Sequence, residues 1–246
     1  MTDAHPIYLI DGHNLLYKAH FTFIKHPLIN RKNRDVSVSY GFTRMLFGLL
    51  KEHSPSHLAI AFDRKGPTFR HELYQQYKLN RPPMPAPIAD NLPIIRKLVT
   101  AFGIPILEQE GYEADDILGS FVERFRRSGH PIFLITGDKD MLQLVEGNVS
   151  VLTARTGLSD LIMNRREQVI EKYGIPPELM IDYFSLVGDA IDNVPVIPGI
   201  GPKTAVKLLV EFGSLDRILE ESDRIESEKL REKCVRTRNS RDYRGV

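Results

Sequence analysis

Short apolar runs that stop at an acid alternate along this chain with longer stretches of helical periodicity. Residues 7–10 (IYLI) are uniformly apolar and run into Asp11-Gly12, which predicts a buried strand followed by a turn. Residues 38–53 carry Phe42, Met45, Leu46, Leu49 and Leu50 at helical spacing and stop before Pro55. Residues 58–62 (LAIAF) predict a second strand, ending at Asp63. Four prolines between Arg81 and Asp90 (Pro82, Pro83, Pro85, Pro87) predict an extended connector. Residues 91–102 read as a helix, 104–107 as a short strand and 113–127 as an amphipathic helix. Residues 131–135 predict a further strand, ending in Thr136-Gly137-Asp138, and residues 149–152 one more. After about residue 165 the pattern is helical throughout.

Strands alternating with helices of this length imply an α/β fold with a central, mostly parallel sheet flanked by helices. Ligands of such sheets bind beyond the carboxyl ends of the strands. Asp11, Asp63 and Asp138 each follow a predicted strand, so three strands deliver a carboxylate to one edge. The expected organisation is an α/β core over residues 1–165 and a helical module with a basic tail over 166–246.

Composition narrows this picture. A chain of 246 residues buries about 70–75% of its unfolded surface and needs no staple. Its single cysteine, Cys234, excludes an intrachain disulfide. No apolar run approaches the ~20 residues of a membrane helix, and the first twenty residues lack the pattern of a signal peptide. A soluble cytoplasmic protein is expected. The formal charge of +1 conceals segregation. Residues 64–81 hold five basic residues against one acid, and residues 229–246 hold seven against two. Acids cluster between them, an arrangement suited to a polyanion on one surface and cations at another.

Nine carboxylates form the strongest chemical signal: Asp11, Asp63, Glu113, Asp115, Asp116, Asp138, Asp140, Asp189 and Asp192. Asp115 and Asp116 open a helix; Asp138 and Asp140 share a loop; Asp189 and Asp192, three apart, are expected on one face of a helical turn. Taken singly, each reads as a helix cap or turn acid. Jointly, converging carboxylates repel, so their pKa values rise or cations neutralise them. Oxygen-only ligands favour Mg²⁺, with Mn²⁺ as the alternative, over Zn²⁺. Two such ions activate a water and stabilise the leaving oxygen of a phosphodiester. A second signal is the turn Gly199-Ile200-Gly201-Pro202-Lys203-Thr204, whose backbone N–H groups open a helix carrying Lys203 and Lys207. It is no Walker A loop, since Pro202 stands where that pattern needs glycine. The plain alternative is a helix–turn–helix packing unit. Third, Arg70, Tyr74, Tyr77, Lys78 and Arg81 interleave aromatics with cations, as a single-strand binder would, or as a solvated helix face with buried aromatics would.

These motifs occur in order: Asp11-Gly-His-Asn, Phe62-Asp63, Phe69-Arg70, Tyr77-Lys78-Leu-Asn-Arg81, Glu113-Ala-Asp115-Asp116, Thr136-Gly-Asp138-Lys-Asp140, Gly188-Asp189-Ala-Ile-Asp192 and Gly199-Ile-Gly201-Pro-Lys203. Over roughly residues 7–220 the chain resembles the 5′→3′ exonuclease domain of bacterial DNA polymerase I, within the flap endonuclease superfamily. The resemblance implies a PIN-like or resolvase-like core, an arch at about residues 64–92 and a helix–three-turn–helix DNA-binding element. It implies two-metal cleavage of 5′ flaps, nicked or ended DNA and RNA primer remnants in replication and repair. By matching motif, Asp11, Asp63, Glu113, Asp115 and Asp116 become ligands of a first metal, and Asp138, Asp140, Asp189 and Asp192 of a second. Lys78, Arg81 and Arg70 become the cations on the scissile phosphate. Tyr74, Tyr77, Gly199, Gly201, Lys203, Thr204 and Lys207 become DNA contacts, with K⁺ at the turn. A monomer is implied, with a separate DNA polymerase as partner and no membrane.

The chain departs from the family at Lys18 (usually Arg), Ile191 (commonly Ser) and Val196 (usually Gly). Residues 235–246 do not resemble the family's continuation, which leaves a stand-alone nuclease or a truncated chain. Two other readings are a PIN-like ribonuclease, which has no use for the Gly199–Gly201 element, and an inactive DNA-binding module, which has no use for nine acids.

Overall fold

The computed structural model describes residues 5–155, 160–194, 197 and 199–239, with side chains to residue 235. In chain order the elements are β1 (Ile7–Asp11), α1 (Gly12–Phe23), α2 (Ser37–His53), β2 (His57–Ala61), α3 (Phe69–Leu73), α4 (Ala86–Ala101), β3 (Ile106–Leu107) and α5 (Ala114–Phe125). There follow β4 (Ile132–Ile135), β5 (Val149–Ala154), β6 (Leu161–Asn164), α6 (Arg166–Tyr173), α7 (Met180–Val187), α8 (Pro202–Phe212), α9 (Leu215–Glu220) and α10 (Glu228–Asn239). They form two units: Met1–Gly66 with Pro83–Arg165, and Pro67–Pro82 with Arg166–Val246. The expected arch segment is thus shared between them. Among the described residues no helix is long and apolar enough to cross a membrane.

The first unit is built on one six-stranded sheet, ordered β3-β2-β1-β4-β5-β6. The first five strands are parallel, and β6 joins antiparallel on β5. In β1, Tyr8 and Ile10 join a cluster with Leu16 of α1, Phe42, Leu46 and Leu49 of α2, and Ile88, Ile95 and Val99 of α4. Leu9 has the opposite parity and is buried on the other face, where α5 packs on β1 and β2. Each such fully buried Leu or Ile contributes about 1.5–3 kcal/mol. The strand order changes direction at β1, between β2 and β4, which is where an open α/β sheet forms its crevice.

Several expectations change in the structure. The proline-rich segment is extended only to Pro85; α4 begins at Ala86, with Pro87 in its first turn. A first-turn residue has no intrahelical use for its N–H, so proline opens this helix instead of blocking it. The strand expected over residues 104–107 is reduced to Ile106–Leu107. β6 has no counterpart among the expected strands. Asp189 and Asp192 do not lie on a helix: Asp189 bridges Val194 antiparallel, and its Oδ1 accepts the amides of Ile191 (2.8 Å) and Asp192 (3.2 Å), a turn closed by its own side chain.

The second unit is helical. Leu186, Ala205, Leu208, Leu209, Phe212, Ile218 and Cys234 are buried in it. α8 ends at Gly213, whose φ of 85° is left-handed, and Ser214 then caps α9 by accepting the amide of Arg217. Gly199 also has positive φ (86°), and Gly201 is the N-cap of α8 with Pro202 in the first turn. Val196, in the same turn, lies outside the described residues.

Candidate metal centre and nucleic-acid elements

Why β1 ends in a site follows from its next two residues. Asp11 caps α1, its Oδ1 accepting the amide of Asn14 at 2.9 Å. A Cβ on Gly12 would lie 2.7 Å from the carbonyl oxygen of Ala61 and closer still to the Phe62 ring, so only glycine lets α1 start against β2. Gly12→Ala should therefore cost about 3 kcal/mol and lower Tm by roughly 5–10 °C, measured by thermal unfolding.

Seven carboxylates of the first unit lie on the loops and helix starts at this edge. Asp63 follows β2; its Oδ1 accepts the amide of Ala114 at 2.7 Å, joining β2 to the start of α5. Nδ1 of His13 accepts the Asp63 amide (3.0 Å) and lies 3.3 Å from Asp63 Oδ2. Glu113 caps α5, and Asp116 Oδ2 accepts the Glu113 amide at 2.9 Å, a reciprocal capping box. Beyond β4, Asp138 Oδ1 accepts the amide of Asp140 at 2.9 Å, where a 3₁₀ turn begins. Asp11 Oδ2 accepts the hydroxyl of Thr136 at 2.9 Å.

Asp115 differs from these. It is half-buried, and no hydrogen bond to its carboxylate offsets the burial among the described residues. Burial, then the charges of Asp11, Asp138, Asp63 and Glu113 in that order, push its pKa up to about 8. Burial likewise raises Asp11 to about 6, against the lowering effect of its bonds from Asn14 and Thr136. The other acids mostly commit one oxygen to the backbone and keep the second for another partner. Among the described residues no three of these groups cage an ion as they stand. An oxygen-only set with one ligand forced toward its neutral form fits a hard divalent cation.

The remaining two acids and the cations belong to the second unit. Asp192 lies 3.8 Å from Lys78 Nζ and 3.3 Å from Arg81. Lys78 N donates to Asp192 O at 2.9 Å, and Asn193 Nδ2 to Gln76 O at 2.8 Å, tying the two segments together. The Arg70 guanidinium covers the Phe69 ring at 4.7 Å. Tyr74 is half-buried and donates to Gln76. Tyr77 departs from its expected role: it is only 8% exposed and packs edge-on to His71, with Lys78 over its ring, so its face is closed to a base. Lys203 and Lys207 are exposed on α8, Lys207 3.7 Å from Glu226, and Thr204 is half-buried. Three residues that the sequence pattern left unassigned also touch the carboxylates: His13, Asn14 and Thr136. Each sits within an acidic motif, and that adjacency was the available signal.

Comparison with known proteins agrees with this geometry. Residues 6–174 match the family model of the 5′-3′ exonuclease N-terminal resolvase-like domain, and residues 175–243 that of the 5′-3′ exonuclease C-terminal SAM fold. A 5′-3′ exonuclease of Aquifex aeolicus is 39% identical over 222 residues, covering 90% of this chain and 75% of the relative. DNA polymerase I of Bacillus caldotenax is 43% identical over 225 residues, covering 91% of this chain. This chain spans about a quarter of the polymerase's length. Among solved structures, T5 5′-exonuclease with bound divalent metal ions superposes with TM-score 0.77 at 21% identity, covering 96% of this chain and 86% of that one. The T5 D15 flap endonuclease in a complex with DNA and metal ions gives the same TM-score and identity, covering 96% and 85%.

Proposed function

The chain belongs to the 5′-3′ exonuclease family, and from that premise we propose that it is a divalent-metal-dependent, structure-selective 5′→3′ exonuclease and 5′ flap endonuclease. One observation carries this reading: the ends of β1, β2 and β4 bring Asp11, Asp63 and Asp138 to one sheet edge, where Asp63 also receives the start of α5 with Glu113, Asp115 and Asp116, and burial and charge raise the Asp115 pKa there. A protein that keeps such a group at a sheet edge gives up stability in favour of binding a cation.

Asp11, Asp63, Glu113, Asp115 and Asp116 hold one Mg²⁺, or Mn²⁺, in this reading. Asp138, Asp140, Asp189 and Asp192 hold a second. The bound ions supply an activated water and neutralise charge on the leaving oxygen. The chain's own residues do the rest. Lys78, Arg81 and Arg70 neutralise the scissile phosphate. The amides of the Gly199–Gly201 turn, with Lys203, Thr204, Lys207 and a K⁺ ion, hold phosphates of the duplex without reading bases. Tyr74 remains as a stacking side chain. The substrates are DNA with 5′ flaps, nicks or ends and RNA–DNA primer junctions, and a polymerase is the partner that creates them during replication and repair. The protein acts as a monomer in the cytoplasm.

Cleavage of a 5′-labelled flap duplex, a nicked duplex and a single-stranded RNA, each in Mg²⁺ and in EDTA, tests the reading. Metal-dependent release of the flap near its junction, with the RNA spared, is expected. Cutting of RNA alone would shift the assignment to a single-strand ribonuclease. Duplex binding without cleavage would leave a binding module.

A further inference from the structure

Parallel pairing of β1 and β4 places Ile10 opposite Ile135, so the residues that follow, Asp11 and Thr136, emerge side by side. Two loops then leave the sheet: Asp11 enters α1, and Thr136-Gly137-Asp138 turns toward Asp140. Both end in charge, and repulsion between Asp11 and Asp138 works to spread them. Two side chains hold them together. The Thr136 hydroxyl has one proton, given to Asp11 Oδ2 at 2.9 Å, and one of its lone pairs takes the amide of Asp138 at 3.0 Å. Asn14 works from the other side: its backbone N–H donates to Asp11 Oδ1 at 2.9 Å, and its side-chain Oδ1 accepts the amide of Gly137 at 2.9 Å. A Cβ on Gly137 would stand 3.1 Å from that Oδ1, closer than ordinary contact, so residue 137 is kept small for this bond. Thr136 is only 3% exposed, and its branched side chain has little rotamer freedom, so the hydroxyl stays where the two bonds need it.

We propose that Thr136 and Asn14 are positioning residues: they clasp the Asp138 loop to Asp11 and fix the spacing of two carboxylates delivered by different strands. The consequence rests on the functional reading above and concerns its cation site. With both oxygens of Asp11 held from opposite sides, the carboxylate cannot rotate, and Asp138 follows it through the shared hydroxyl. A cation then meets ligands already at their working separation. Outer partners of this kind are worth about 10–100-fold in metal affinity or activity.

Thr136→Val keeps the shape and removes both hydrogen bonds; Thr136→Ser restores the hydroxyl without the methyl. Three readouts separate positioning from stability. Hydrogen exchange in EDTA follows the Asp138 and Gly137 amides. Calorimetric titration with Mn²⁺ in the absence of DNA gives metal affinity. Steady-state flap cleavage gives kcat and KM at saturating Mg²⁺. Thr136→Val should expose the Asp138 amide to exchange, weaken Mn²⁺ about 10-fold and lower kcat about 10–100-fold with KM for the flap unchanged. Thr136→Ser should return to within about threefold of wild type, and Asn14→Ala should speed exchange at Gly137 in place of Asp138. If Thr136→Val binds Mn²⁺ and turns over within twofold of wild type, the proposal fails. It fails equally if the serine variant is as impaired as the valine, because the methyl and not the hydroxyl would then matter. Should the valine variant not fold, the serine and Asn14→Ala proteins still decide, since normal exchange and affinity in Asn14→Ala would overturn the clasp. A wild-type protein that binds no Mn²⁺ and cuts no flap would instead defeat the functional reading, a result distinct from any of these.

Discussion

In EDTA at pH 7.5, Asp115→Asn should melt about 5–10 °C above wild type, while in Mg²⁺ it should cleave flaps at least about a thousandfold more slowly. Both effects have one cause. In wild type, burial and the carboxylates of Asp11, Asp138, Asp63 and Glu113 raise the Asp115 pKa to about 8, far above the ordinary carboxylate value. The metal-free fold therefore binds a proton that the unfolded chain releases. Its contribution to stability is complete below about pH 4 and is lost as pH rises through about 8. At neutral pH the unmet cost is on the order of 3 kcal/mol, discounted for the group's partial exposure. Asparagine has no charge to bury, so it removes that cost and the pH dependence with it. The stabilisation should shrink toward zero by about pH 4.5, and Mg²⁺ should stabilise wild type but not the variant. Differential scanning calorimetry at the two pH values, with and without metal, checks this. Equal melting of the two proteins in EDTA would show that Asp115 is not under electrostatic strain, and the case for a cation there would lose its support.

The same residues show how much of the site the sequence carried. Taken singly, the acids read as helix caps and turn formers, and the structure finds them so: Asp11 caps α1, Asp116 completes a capping box, Asp138 and Asp189 close turns with their own side chains. The cap reading does not compete with a ligand reading, because each carboxylate oxygen has more than one lone pair to offer. Strand ends were legible because three short apolar runs stopped at an acid, and parallel pairing then brought Asp11, Asp63 and Asp138 to one edge without further information. What was not legible depended on pairings and packing that periodicity does not specify, some of them close in the chain. β6 is four residues on a sheet edge, defined by pairing with β5. Tyr77 looked like a stacking platform beside its cations until His71, six residues earlier, closed over it. The helical spacing of Asp189 and Asp192 was a true spacing in a false element, since the pairing of Asp189 with Val194 overrides it. Thr136 and Asn14 gave no signal of their own, because a hydroxyl or an amide acquires meaning only from what stands opposite.

Lys78→Ala should lower the single-turnover cleavage rate about 10²–10³-fold while changing duplex affinity in EDTA by less than about threefold. Lys78 Nζ stands 3.8 Å from Asp192 Oδ2, with Arg81 3.3 Å from Oδ1 of the same carboxylate, and φ of Lys78 is left-handed at 55°. A side chain that accepts backbone strain to keep its place has a position worth keeping. The pair with Asp192 is partly exposed and worth about 1 kcal/mol at most. A cation aimed at the charge that develops on a phosphate in the transition state contributes about 3–4 kcal/mol. The stronger attraction prevails only as charge develops on the phosphate, so the ammonium shifts from carboxylate to phosphate in the chemical step and not on binding. Ground-state affinity comes instead from several phosphate contacts, of which Lys78 is one, so its loss is diluted there and concentrated in the chemical step. Lys78→Arg keeps the charge but not the compact ammonium, and it should recover only part of the rate. Rapid-quench cleavage with saturating enzyme, set beside fluorescence anisotropy of the same duplex, separates the two steps. Equal losses in rate and affinity would make Lys78 an ordinary phosphate contact and leave the transition-state role to Arg81.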